Sequence, residues 1–182
     1  MAYQGELDGL CGPYAIVNAY HRCGLKEDWV GQDLFNIACL AVDGWPGILW
    51  NGTSFPQLRT MLAACQKELK KAYRKAGETF HIEVDYPFSG RQRPKSNGEY
   101  WRRFEGLFAC EDVLCGILGM EDPHEHWIAF ENRKRQLSLF DSDAKGERWR
   151  ITKVDIHAGR RYRKKYLINR RELVIFRSNA AG

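Results

Sequence analysis

The stretch that decides the fold is "HWIAFENRKRQLSLFD", His126 to Asp141. Two apolar runs, "HWIAFE" and "QLSLF", flank the charged turn "NRKR", the pattern of an antiparallel hairpin. Working outward, "DVLCGILGM" predicts a buried strand over Val113 to Met120, while "RWRITKVDI" and "ELVIFRS" continue the β pattern downstream. "TFHIEVDYPF" reads as one more strand.

Upstream the hydrophobic period becomes helical. "SFPQLRTMLAACQKELKKAYRKAG" predicts a long helix: Ser54 and Gln57 form a reciprocal cap, Pro56 suits the first turn and Gly77 ends it. Leu58, Met61, Leu62, Cys65, Leu69 and Ala72 recur at helical spacing and make its core face. Shorter helices are expected over Val30 to Ala41 and near Glu99 to Phe108, with "DGWPGILWNGT" and "RQRPKSNG" as loops. After Pro13, "YAIVNAYHRCG" suits a buried helix closed by Gly24, which puts Cys11 at the helix N-terminus. Helices first and an antiparallel sheet afterwards make an α+β chain. No repeat or linker divides it, so residues 1–182 are read as one domain.

The composition, 44% hydrophobic and 28% charged, excludes a disordered or fibrous chain. No apolar stretch approaches the roughly 18 residues of a membrane span. Six cysteines without a C-x-x-C pair read as free thiols of a reducing compartment. The start "MAYQGELDG" lacks a basic-then-apolar leader, so the expected location is the cytoplasm, with host delivery by a signal-less secretion route left open. The net charge of +5 is concentrated in the basic stretch Arg160 to Arg171, a solvated face or a surface for an acidic partner or nucleic acid.

The chemistry begins with Cys11. A thiol attacks well at neutral pH only when a helix N-terminus or an imidazolium stabilises its thiolate, and the position of Cys11 offers the first. The N–H groups of the helix's first turn offer part of an oxyanion hole, and the Gln4 amide is placed to complete it. A base must be one of His21, His81, His124, His126 and His157. His126 opens a strand that would hold its ring rigidly, while His124 follows Pro123 in a loop. A catalytic imidazole needs an acceptor on its far nitrogen, and the hairpin brings Asp141 beside His126, or Asp143 if the register slips by two. The remaining cysteines and histidines read as packing residues, and Trp127 as a core strand residue.

"QGELDGLCGPYAIVNA" followed by "HWIAFENRKRQLSLFDSD" resembles the papain-like cysteine peptidase superfamily, and within it the bacteriocin-leader, or double-glycine, peptidases and their stand-alone relatives. "GTSFPQLRTMLAAC" is similar to that family's second helix. The resemblance implies a helical subdomain bearing the Cys, packed on an antiparallel sheet bearing the His and Asp. It assigns Cys11 as nucleophile, His126 as general base, Asp141 as orienting acid and Gln4 as oxyanion donor. Gln4 precedes Cys11 by seven positions where the papain pattern has six, and Leu10 stands where the leader peptidases carry Asp. "LDGLC" and His126-Trp127 also resemble ovarian-tumour-type deubiquitinases.

Both resemblances imply attack on an acyl centre without metal or organic cofactor. The implied substrate is a peptide or isopeptide with small residues at the scissile bond, such as a Gly-Gly leader or a ubiquitin-like tail. A deamidase or acyltransferase on the same scaffold is the near alternative, and a non-catalytic module binding through its basic stretch is the distant one.

Overall fold

The computed structural model describes residues 9–25, 28–122, 125–133, 136–140, 150–151, 156–158 and 166–179. Helices α1 (Cys11–Arg22), α2 (Asp28–Leu40), α3 (Gly47–Asn51) and α4 (Phe55–Lys75) come first. Strand β1 (Ile82–Asp85) and helix α5 (Asn97–Phe108) follow, then β2 (Val113–Asp122), β3 (His126–Arg133), β4 (Gln136–Phe140), β5 (Arg150–Ile151), β6 (Ile156–Ala158) and β7 (Tyr166–Ser178). The chain is α+β, with an N-terminal helical part and a C-terminal sheet.

Strand order among the described residues is β1-β7-β2-β3-β4-β5. Every neighbouring pair on that path is antiparallel. Strand β6 departs from the all-antiparallel expectation by pairing in parallel with β7. The last strand is also longer than "ELVIFRS", because it begins at Tyr166 inside the basic stretch. Arg170 and Arg171 therefore lie within β7, in a segment where its pairing with β2 is interrupted. Residues 160–165 of that stretch lie outside the described residues.

Strands β2, β3 and β7 carry nearly continuous apolar runs, "GILGM", "WIAF" and "LVIF", which is what burial on both faces demands. One face, with Ile117, Trp127, Ala129, Phe140, Val174 and Phe176, packs against Ile16 and Tyr20 of α1, Leu34 of α2 and Leu58, Met61 and Leu62 of α4. The opposite face, with Leu118, Ile128, Phe130, Leu139 and Ile175, is covered by Tyr100 and Phe104 of α5 together with Phe88. The sheet is thus clad on both sides. Phe104 stacks on Phe130 with ring centroids 5.5 Å apart, which anchors α5 at the centre of that second layer.

Helix α4 starts as its sequence dictates. The Ser54 N–H donates to Gln57 Oε1 at 2.9 Å, and the Gln57 N–H returns to Ser54 Oγ at 3.5 Å. Its core face holds Leu58, Met61, Leu62, Cys65 and Leu69. Ala72 lies exposed instead, and it is its neighbour Tyr73 that packs, its ring against Phe80. The loop expected at "DGWPGILWNGT" contains the short helix α3, whose Leu49 carbonyl accepts the Gly9 N–H at 2.7 Å. That bond ties the segment before Cys11 to the entry of α4. No helix among the described residues is long and apolar enough to cross a membrane.

Candidate active site

Cys11 is the first residue of α1, and the N-cap residue Leu10 makes no side-chain capping bond. A leucine side chain has no acceptor to offer the first-turn N–H groups, and Cys11, at this electropositive helix end, lines a cleft. The thiol is 5% exposed and directs its weak bond to the Gly9 carbonyl at 3.9 Å.

Gly12 follows for a steric reason. A Cβ there would lie 2.7 Å from Thr53 Oγ1 and 2.8 Å from Thr53 Cβ and Cγ2. A Cβ at Gly9 would meet the Ile48 carbonyl and the Gly52 backbone at 3.0 Å or less. The glycines on either side of Cys11 thus let the loop from α3 to α4 close tightly over the helix start.

His126 opens β3, opposite Met120 of β2, and is 6% exposed. Trp127 beside it is a core residue, as its apolar strand context implies. Its ring stacks on Phe55 at 5.8 Å, and its Nε1–H donates to the Thr53 carbonyl. One tryptophan therefore fastens the strand of His126 to the loop that covers Cys11.

Cys11 and His126 line a single cleft of about 460 Å³, with Gly52, Thr53, Ser54, Phe55, Glu121, Glu125, Asn169 and Glu172 among its other walls. Helix α1, the loop before α4, the β2–β3 end and a bulge in β7 each contribute. The bulge is explicit in the register. Leu118 pairs with Leu173 and Met120 with Ile168, so Asn169 to Glu172 stand against Gly119 alone. Such bulges re-aim side chains, and this one brings Asn169 and Glu172 to the cleft. Gly119 is obligatory there because a Cβ would collide with Glu172 and crowd the Trp127 ring.

Glu172 is half-buried, and burial pushes its carboxyl up from the ordinary value. Glu121 and Glu125 push the same way, against the opposing pull of Arg171. A second pocket of about 360 Å³, lined by Arg93, Glu121, Asn169, Arg170 and Arg171, adjoins through Glu121 and Asn169.

Of the residues singled out from the sequence, Cys11 and His126 meet at this cleft. Gln4, His124, Asp141 and Asp143 lie outside the described residues; the β3–β4 ladder is described as far as Ala129 opposite Phe140. All six cysteines are free. Cys65 and Cys115 are core residues, whereas Cys110 is exposed at the end of α5, and Cys23 and Cys39 are partly buried. His81 is exposed rather than packed, since it precedes the edge strand β1.

Sequence reading missed Thr53, Glu121, Glu125 and Glu172. The two glutamates flanking "DPH" were visible as acids beside His126, but Glu172 was masked by the basic run that it ends. Among the described residues no group of three or more His, Cys, Asp and Glu side chains could hold a metal ion. No known protein family, curated protein or solved structure matches this chain.

Proposed function

We propose that this chain is a cysteine hydrolase of papain-like type. The observation that carries the reading is the meeting of Cys11, at a helix N-terminus, and His126, at a strand start, on the walls of one cleft. In the proposed reaction His126 takes the thiol proton and the Cys11 sulfur forms a bond to the carbonyl carbon of the substrate. The carbonyl π pair moves to oxygen, where first-turn N–H groups and the Gln4 amide stabilise it. Collapse breaks the C–N bond, His126 returns its proton to the amine, and water hydrolyses the thioester. Asp141 orients the imidazole.

The substrate is a peptide or isopeptide, which a cleft of this size and mixed polarity supports. Labelling with an acyl-type activity probe tests the proposal. Cys11 should react at neutral pH, and His126→Ala should react at least tenfold more slowly, in line with the contribution of a general base. Equal labelling of both proteins, or preference for another cysteine, would sink the dyad.

Transfer to an amine, or attack on a side-chain glutamine, uses the same residues. Mass spectrometry of the products separates them, since deamidation leaves the chain intact. The pocket lined by Arg93, Arg170 and Arg171 favours one further reading, a surface for an acidic partner. Salt-sensitive binding that survives Cys11→Ala would identify that surface.

A further inference from the structure

We infer that the cleft selects peptides carrying a lysine or arginine beside the scissile bond. This rests on the cysteine-hydrolase reading and assigns its substrate class. The chain as a whole carries +5, yet the described residues that line the cleft include Glu121, Glu125 and Glu172 and no lysine or arginine. An acidic lining in a basic protein is a local reversal of field, and a concave wall of one sign concentrates counter-charged ligands.

The placement of Glu172 is built into the backbone. The β7 bulge delivers it and Gly119 vacates the space it fills, so a half-buried carboxylate is held against the wall shared by Cys11 and His126. Besides burial, the charges of Glu121 and Glu125 raise the Glu172 carboxyl, against the opposing pull of Arg171. Such repulsion is relieved when a cation enters.

Thr53 lines the same cleft, is 8% exposed, and among the described residues its hydroxyl has no hydrogen-bond partner; the oxygen packs against Gly12 and belongs to the wall itself. The occupant that the acidic lining favours is thus cationic, as a peptide with a basic side chain is. Arg93, Arg170 and Arg171 line the adjoining pocket that shares Glu121 and Asn169 with the cleft, so the acidic lining gives way to a basic one there.

Two charged thiol reagents of like size test this without a known substrate. The trimethylammonium-ethyl and sulfonato-ethyl methanethiosulfonates each form a mixed disulfide with a thiolate and release methanesulfinate. Site-resolved mass spectrometry would follow Cys11, with exposed Cys110 as the internal reference.

The cationic reagent should label Cys11 roughly tenfold faster than the anionic one after normalisation to Cys110, and Glu172→Gln should shrink that ratio several-fold. Equal rates at Cys11, or a ratio unmoved in both Glu172→Gln and the Glu121→Gln/Glu125→Gln double variant, would overturn the substrate class and leave the nucleophile standing. No labelling of Cys11 by either reagent would overturn the nucleophile and the substrate class together. A folded Glu172→Gln protein, verified by circular dichroism, makes the comparison interpretable.

Discussion

Replacing Gly12 by Ala tests a close contact on which the candidate site depends. The new Cβ would lie 2.7 Å from Thr53 Oγ1 and 2.8 Å from its Cβ and Cγ2. Contacts below 3.0 Å must be relieved by movement. Thr53 has little freedom to move, being 8% exposed with its carbonyl held by the Trp127 indole. Overpacking of this kind costs about 1–3 kcal/mol. Alanine's better helix propensity returns under about 1 kcal/mol, and less in a first turn. The clash wins, and Gly12→Ala should destabilise the fold by about 2 kcal/mol.

The mechanism is isolated by Thr53→Ala, which removes Oγ1 and Cγ2 and leaves Cβ. By itself that change deletes a buried methyl worth about 0.8 kcal/mol but also a buried hydroxyl with no partner among the described residues, so its net effect should stay within about 1 kcal/mol. The double variant should lose at least about 1 kcal/mol less than the sum of the two singles, as residues in direct contact do. Urea unfolding followed by tryptophan fluorescence supplies all four free energies. Additivity within about 0.5 kcal/mol, or a Gly12→Ala protein as stable as wild type, would refute the argument.

Two further outcomes follow from the titrating groups. Burial pushes the Cys65 thiol up to about 12 and raises Cys115 as well, so iodoacetamide at pH 8 should alkylate exposed Cys110 readily and leave both core thiols untouched until the protein is denatured; native-state labelling of Cys65 at the rate of Cys110 would contradict the packing of α4. Glu172 holds its proton more tightly folded than unfolded, so its contribution is most favourable below the ordinary carboxylate range and is lost as pH rises through the raised folded value. Glu172→Gln should accordingly match wild type near pH 4 and exceed it in urea midpoint at pH 7, and an offset equal at both pH values would disprove the burial effect.

The parts of the fold that the sequence made legible share one property: local rules decide them. The long helix could be read to its cap because Ser54 and Gln57 satisfy each other across three residues, and that exchange is present in the structure. The hairpin from His126 could be read because charged residues separate two apolar runs that pair in register, Phe130 opposite Leu139, although Asn132 and Arg133 of the expected turn "NRKR" continue β3. Ala72 could not be placed from its spacing, since exposure at the last turn depends on what packs against it, and there Tyr73 meets Phe80 instead. The second clad face was equally hidden. Nothing within "NGEYWRRFEGLF" says that Tyr100 and Phe104 will pack on the side of the sheet away from the other helices.

The candidate site divides along the same line. Cys11 and His126 carried their own signals, a helix start and a strand start, and the fold brings both to one cleft. Glu172 carried none, because its position depends on a register break between strands far apart in the chain, β2 ending at Asp122 and β7 starting at Tyr166. A continuous β2–β7 ladder would pair Gly119 with a single residue and leave no extra segment to bend toward Cys11. The apolar core therefore fixes where Cys11 and His126 stand on the cleft, while a local failure of strand pairing sets the charge that surrounds them. These two determinants can vary independently: substitutions at residues 169–172 can change the electrostatics of the cleft while Trp127, Thr53 and Gly12 still hold Cys11 against the sheet.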